Sequence, residues 1–174
     1  LSFRLKNHYL DLHWTFRRSP GIKLLESRLW ENRRSCLLDG NLCQIPSDSM
    51  QLLLLVLGMA DDVFRGHLIQ RSLWDIRLLL QHMEPLDWQE FLTQRESEGL
   101  KPLVINILAL VIHALNWRTC DPGLHQALAE NDHLLLVRDH EDAMALINSG
   151  PLGLSNRHWV ARLQPVPIWV YWLW

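Results

Sequence analysis

Residues 101–117 read KPLVINILALVIHALNW, and this stretch decides the fold. From Leu103 to Leu115 it is apolar on nearly every side, interrupted by Asn106 and His113. A helix without a polar face has to be surrounded by other elements of the protein. A membrane span would need about 20 apolar residues, more than this run contains. The stretch therefore predicts the buried central helix of a helical bundle and no membrane span.

The segments on both sides of this stretch also carry helical patterns. Leu68–Met83 has the clearest amphipathic stripe. Gly58 and Gly66 predict an interruption of the helical pattern around Asp61-Asp62. The predicted helices cover residues 22–32, 50–57, 68–83, 88–98, 101–117, a segment from Pro122 and 134–148, with Asp48, Asp87 and Asp121 as capping residues.

The first residues carry a strand pattern. Ser2–Lys6 and Tyr9–Phe16 predict two extended segments, and the second alternates between polar and apolar residues. Alternation places Asp11 and His13 on one face of this strand and Trp14 on the other. Trp14 is therefore expected in the core.

A hairpin is predicted at Asp39-Gly40, because Asp-Gly is a preferred pair in two-residue type I′ turns. If these residues form the turn, residue 38 pairs with residue 41, and Cys36 lies opposite Cys43. A disulfide between them is geometrically possible. An intracellular chain would keep both thiols reduced. We expect two buried or half-buried free cysteines.

Together these patterns predict an α+β fold that is predominantly α-helical. It comprises the remnant of a small mixed β-sheet and a β-hairpin, followed by a bundle of five or six helices. The predicted division places the strands, a short helix and the hairpin in residues 1–45, and the helical bundle in residues 46–174. The tryptophan-rich tail, residues 156–174, predicts a core or interface segment through which copies of the chain could associate.

Charge is unevenly distributed along the chain. The formal net charge is −2, which excludes a strongly basic nucleic-acid-binding protein. Residues 1–34, which include Arg4 and Lys6, hold eight basic and three acidic residues, a net charge of +5. This segment either faces an anionic ligand such as a nucleotide phosphate or is an ordinary solvated surface. The chain opens without an apolar signal core, so a cytoplasmic location is expected.

Asp11 is the first candidate for a metal-binding or catalytic residue. An ionised carboxylate on a strand, with His13 on the same face, can bind a divalent cation or orient a hydroxyl group. The alternative is an edge strand with a solvated polar face. Periodicity alone does not separate these two interpretations.

Three motifs in their order and spacing carry a family resemblance: LDLHW at 10–14, LWDIRLL at 73–79 and LDW at 86–88. Over roughly residues 2–117 the chain resembles a bacterial family of uncharacterised nucleotidyltransferases, within the polymerase-β-like superfamily. The resemblance implies a small mixed sheet that carries three carboxylates, followed by a helical domain that closes over a nucleotide. Two of the carboxylates belong to an Asp-x-Asp element after a Gly-Ser turn, and the third lies on a later strand.

Asp11 matches this third carboxylate. The Gly-Ser turn and the Asp-x-Asp pair have no counterpart in the sequence, and we expect them upstream of Leu1. The family also favours a histidine in the helix after the hairpin, near the position of Gly58 here, which leaves the role of that helix open.

The resemblance implies Mg²⁺-dependent transfer of a nucleoside monophosphate from an NTP to an unknown acceptor, a protein or a small molecule. Two Mg²⁺ ions would clamp the attacking and leaving oxygens. Because one aspartate cannot hold two ions, we expect the chain alone to be inactive. The candidate residues are Asp11 as metal ligand and catalytic residue, His13, Arg4 and Lys6 for substrate binding, and Trp14, Trp74, Asp75 and Trp88 as structural motif residues.

Two other functions compete with this hypothesis. The first is a non-catalytic helical interaction or adaptor module. The second, less favoured, is a HEPN-like ribonuclease, because Arg77 and His82 fit its Arg-x4–6-His pattern. Residues five apart on a helix diverge by roughly 140°, so this pair would not converge. Asp75 either forms a surface ion pair with Arg71 or anchors the helical domain to the sheet.

Overall fold

A computed structural model of the protein describes residues 2–5, 8–11, 26–65, 67–118 and 121–148. The strands within these ranges are β1 (Ser2–Leu5), β2 (His8–Asp11), β3 (Arg34–Leu38) and β4 (Asn41–Ile45). The helices are α1 (Glu26–Leu29), α2 (Asp48–Arg65), α3 (Gln70–His82), α4 (Trp88–Ser97), α5 (Lys101–Ala114), α6 (Pro122–Glu130) and α7 (His140–Asn148). A predominantly helical α+β fold is confirmed, and the described residues contain six helices after the hairpin.

Helix α5 is the centre of the bundle, as its sequence predicts. Every residue from Leu103 to Ile112 is buried. Helices α2, α3, α4 and α7 all contact α5. Among the described residues, no helix combines the length and the apolar character needed to cross a membrane.

Asn106, the polar interruption of α5, is fully buried and hydrogen-bonded on both sides of its amide. Its Nδ2 donates to the carbonyl oxygens of Pro102 and Leu134, both at 2.9 Å. Its Oδ1 accepts from the backbone N–H of Leu136 at 2.7 Å. One side chain thereby holds the segment between α6 and α7 against the central helix.

Helix α2 corrects two predictions. It runs without interruption from Asp48 to Arg65, so the predicted break around Asp61-Asp62 is wrong. A glycine inside a helix costs only about 0.5–1 kcal/mol relative to alanine, and the turns after Gly58 bury apolar side chains on the bundle face. These side chains are Met59, Ala60 and Val63.

The amino-terminal cap of α2 is also shifted by one residue. The backbone N–H of Met50 donates to Ser47 Oγ at 3.4 Å, which places the cap at Ser47. Asp48 instead forms a bidentate ion pair with Arg34 of β3. The carboxylate that was predicted to cap the helix thus connects it to the hairpin.

The two other predicted caps are confirmed. Asp87 accepts from the backbone N–H of Glu90 at 2.9 Å, at the start of α4. Asp121 accepts from the backbone N–H of Gly123 at 2.8 Å, at the start of α6. These local patterns set helix starts because short polar side chains satisfy first-turn N–H groups that have no acceptor within the helix.

Helix α7 begins at His140, and its predicted start near residue 134 is wrong. A short 3-10 turn, Asp132–Leu134, comes first. After this turn the backbone N–H of Leu136 donates to Asn106 Oδ1. Asp139 then accepts a hydrogen bond from the backbone N–H of Asp142 at 2.9 Å. A long-range hydrogen bond and a local cap together delay the helix.

The hairpin forms in the predicted register. Leu38 pairs with Asn41, and Cys36 lies opposite Cys43. Asp39 and Gly40 both have positive φ, as a type I′ turn requires. Both cysteines are free and half-buried, as expected.

The opening strands pair in an antiparallel ladder in which Ser2 lies opposite Asp11 and Leu5 opposite His8. The described part of this prediction ends at Asp11. Residues 12–16, residues 22–25 of the first predicted helix and the tail at 156–174 lie outside the described residues. The division into residues 1–45 and 46–174 stays a prediction.

His113, in the last turn of α5, makes the stability of the fold sensitive to pH through its side chain, while its backbone contacts α7. Its carbonyl oxygen lies 2.9 Å from His140 Nδ1. Burial lowers the pKa of His113 below its ordinary value of 6.5; Asp139 and Asp142 oppose this shift, and His125 and His140 add to it. The unfolded chain therefore binds more protons than the folded one just below pH 6.5.

We expect the His113 contribution to the free energy of unfolding to be complete above pH 6.5 and to be lost as the pH falls below it. Urea unfolding at about pH 7.5 and about pH 5.5 measures this loss. The His113→Gln variant should lose less stability between these pH values than the unaltered chain. An equal loss in both proteins would contradict the assignment.

Candidate active site and its surroundings

The β1–β2 ladder holds the part of the predicted site that the structure describes. Asp11 ends β2 opposite Ser2, and Arg4 lies opposite Tyr9. Position 4 is two residues from Ser2, the partner of Asp11, so positions 4 and 11 belong to one face of the pleated pair. Three further candidates, Lys6, His13 and Trp14, lie outside the described residues.

The described residues do not by themselves form a complete site for two Mg²⁺ ions. Among them, no group of three or more His, Cys, Asp or Glu side chains is placed to hold a metal ion. Mg²⁺ needs near-octahedral oxygen coordination, of which Asp11 could supply only a part. The assignment of Asp11 as a metal ligand stays a prediction.

Asp75, from the LWD motif, pairs with Arg71 one turn earlier on α3. Arg71 Nε lies 3.5 Å from Asp75 Oδ2, and the Arg71 side chain is 92% exposed. Solvent-exposed pairs at this spacing contribute about 0.3–0.5 kcal/mol. The surface ion pair, one of the two predicted alternatives, is therefore present.

Trp74 of the same motif packs against a cation. The Arg77 guanidinium carbon lies 5.1 Å from the Trp74 ring centroid and 5.3 Å from that of Trp117. Arg77 thus packs against two indole rings and connects α3 to Trp117, which follows α5. These contacts account for Arg77 as a packing residue, while His82 in the last turn of α3 is exposed.

Trp88 connects the starts of α4 and α6. It is 6% exposed, and its Nε1 donates to Asp121 Oδ2 at 2.6 Å. A Cβ at Gly123 would lie 2.9 Å from Trp88 Cδ1, so the absence of a side chain at Gly123 permits this packing. Trp88 therefore has contacts that suit the structural role predicted for the LDW motif.

The sequence patterns did not indicate an arginine cluster between α1 and α4. Arg28 Nη1 and Arg95 Nη2 donate to the same oxygen of Glu98, at 2.7 and 3.1 Å. Arg95 is 3% exposed and packs over the ring of Phe91. The three-residue spacing at the end of α4 could have suggested the Arg95–Glu98 pair, but Arg28 is 70 residues from Glu98 in sequence.

The chain combines a small strand ladder that ends at Asp11 with a leucine-rich helical bundle. One family matches this chain: uncharacterised nucleotidyltransferase, over residues 2–116. The chain belongs to this family, and the predicted resemblance is confirmed. Comparison with curated proteins and with solved structures gives no match.

Proposed function

We propose that this chain is part of a nucleotidyltransferase that moves a nucleoside monophosphate from an NTP to an acceptor in a Mg²⁺-dependent reaction. Membership of the family over residues 2–116 carries this proposal. The position of Asp11 on β2 supports it, because a carboxylate at a strand position is where the family resemblance requires its third acidic residue.

Asp11 is the proposed metal ligand, and Arg4, Lys6 and His13 are the proposed contacts to the substrate. Arg4 belongs to the same ladder as Asp11, so a phosphate close to the carboxylate-bound metal would be within the field of a guanidinium. Bound Mg²⁺ would neutralise charge on the transferring phosphoryl group and activate the attacking hydroxyl. The protein residues would position both reactants.

The sequence of 174 residues contains no Gly-Ser followed by Asp-x-Asp. We therefore propose that the other two carboxylates come from outside these residues, and that the chain alone does not catalyse transfer. Mg²⁺·ATP should bind weakly or undetectably to the 174-residue chain and should bind measurably to the protein extended at its amino end. Isothermal titration calorimetry of both proteins tests this expectation.

Two outcomes would count against this proposal. If the extended protein also fails to bind Mg²⁺·ATP, the enzyme hypothesis is wrong. If the 174-residue chain binds Mg²⁺·ATP as tightly as the extended protein, the additional carboxylates are not needed. A titration without Mg²⁺ gives the baseline in both cases.

A non-catalytic interaction module is the second candidate function. The hairpin exposes Leu37, Leu38 and Leu42 by 74%, 65% and 71%, although leucine is usually buried. Exposed apolar clusters are typical of protein–protein contacts. Failure of the extended protein to bind Mg²⁺·ATP would favour this candidate.

A further inference from the structure

A polar pocket of about 240 Å³ lies between the end of α1, the start of α2 and helix α4. Its walls include Arg28 and Arg95, the hydroxyl-bearing residues Ser47 and Ser49, and Gln94. None of the described residues that line it belongs to the strand ladder that carries Asp11. Side chains that can donate hydrogen bonds predominate among these residues.

We propose that this pocket binds a phosphate group, with Arg28 and Arg95 as its charged contacts. Ser47 and Ser49, whose hydroxyls lie 3.1 Å apart and share one hydrogen bond, would leave one hydroxyl proton for the ligand. This inference does not depend on the nucleotidyltransferase function. It follows from three features of the pocket: its buried charge, its free donor capacity and its size.

The buried charge is positive. Arg28 and Arg95 share a single carboxylate, Glu98, so the three buried or half-buried groups sum to one positive charge. The neighbouring pair Arg34–Asp48 is already neutral. Glu31 also lines the pocket, but it is exposed, so solvent screens its repulsion of an anion.

Free donor capacity remains at Arg28, whose side chain is 38% exposed and which, among the contacts of the described residues, donates through Nη1 alone. Arg95 is held in a buried ion pair, because its Nε lies 2.8 Å from Glu98 Oε2 and its Nη2 donates to Glu98 Oε1. Burial lowers the pKa of Arg95 below its ordinary value, Glu98 opposes the shift, and Arg28 adds to it. A second anion would supply the negative charge that Glu98 alone does not, and acceptors for the remaining donors of Arg28.

The first turn of α2, a helix of 18 residues, borders the pocket. Ser49 and Met50, in the first turn of α2, lie in its wall. First-turn N–H groups have no acceptor within the helix; that of Met50 is capped by Ser47 Oγ, and an uncapped one favours an anion when side-chain cations assist it. A volume of about 240 Å³ suits a phosphate group or a small phosphate ester and is too small for most drug-sized ligands.

The test titrates the 174-residue chain with inorganic phosphate and, separately, with AMP, at constant ionic strength. Calorimetry measures affinity, and backbone amide shifts of Ser47, Ser49 and Gln94 locate the site by NMR. We expect saturable binding of at least one ligand with shifts at these three amides. Tighter binding of phosphate would identify the free anion as the preferred ligand, and tighter binding of AMP would identify an ester.

Arg28→Gln and Ser49→Ala should each weaken binding, Arg28→Gln by about tenfold or more, because hydrogen bonds to charged groups are strong. Arg28 is 38% exposed, so its loss should leave the core folded, whereas Arg95→Gln removes a buried partner of Glu98 and risks unfolding. Arg71→Gln removes the same charge from an exposed pair elsewhere and should leave binding unchanged.

Absence of saturable binding of either ligand would overturn the inference. Binding that is unchanged in both Arg28→Gln and Ser49→Ala would do the same, as would amide shifts confined to other residues. If Arg71→Gln weakens anion binding as much as Arg28→Gln does, the affinity depends only on the net charge of the protein. That result would also contradict specific binding at the proposed pocket.

Discussion

Replacing Asp11 by asparagine is expected to reduce nucleotidyl transfer by the extended protein by about a thousandfold or more. Metal ions stabilise the charge of such transition states by several kcal/mol, and each 1.36 kcal/mol corresponds to a factor of about ten in rate. Asparagine has nearly the same size as aspartate but carries no charge to hold a cation. Transfer of radiolabel from an α-labelled NTP measures the loss.

The structure offers a matched control for this variant. Asp39 is an exposed aspartate in the hairpin turn with φ of 49°, a conformation that asparagine also tolerates. Asp39→Asn should therefore preserve both the fold and the activity. Turnover in Asp11→Asn that matches the unaltered protein would remove Asp11 from the site. The β1–β2 ladder consists of backbone pairs, so the variant should fold.

The largest expected effect on stability comes from Asn106. Asn106→Leu should lower the free energy of unfolding by about 3 kcal/mol, because three hydrogen bonds of roughly 1 kcal/mol each are lost. The backbone groups of Leu134 and Leu136 would also lose their protein partner. We expect α7 to be loosened first, because the segment that Asn106 holds leads directly into it.

Urea unfolding of Asn106→Leu measures this effect. Gln126→Ala is a suitable control, because it removes an amide with one exposed hydrogen bond to Glu130. Its expected cost is about 0.5 kcal/mol or less. A loss below about 1 kcal/mol in Asn106→Leu would mean that water or a rearranged backbone replaces the hydrogen bonds.

The features that local sequence determines could be predicted. The apolar stretch at α5 indicated the central helix because no other placement removes so many leucines and isoleucines from water. Asp39-Gly40 fixed the hairpin register because few residue pairs adopt its backbone angles. Asp87 and Asp121 marked helix starts because they can cap within two or three residues.

Features that depend on tertiary contacts could not be predicted. Gly58 was expected to help interrupt α2, but burial against α5 outweighs its small cost. The late start of α7 depends on Asn106, which is 34 residues before His140 in the chain. The pocket around Arg28 and Arg95 joins three segments that no local pattern relates.

The candidate site has a mixed outcome. The motifs LDLHW, LWDIRLL and LDW identified the family, and the family match covers nearly the same residues. Trp74, Asp75 and Trp88 make contacts within the helical bundle, which suit a structural role. Asp11 and Arg4 have defined positions in the β1–β2 ladder, and their roles as metal ligand and substrate contact stay predictions.

Paramagnetic relaxation tests most directly whether a divalent cation binds at the end of β2. Mn²⁺ would replace Mg²⁺ in the extended protein with ATP present, and backbone amide signals would be recorded by NMR. We expect broadening of the Ser2 and Asp11 signals, and its loss in Asp11→Asn. Sharp signals at both positions in the presence of bound Mn²⁺·ATP would place the cation elsewhere and contradict the role of Asp11.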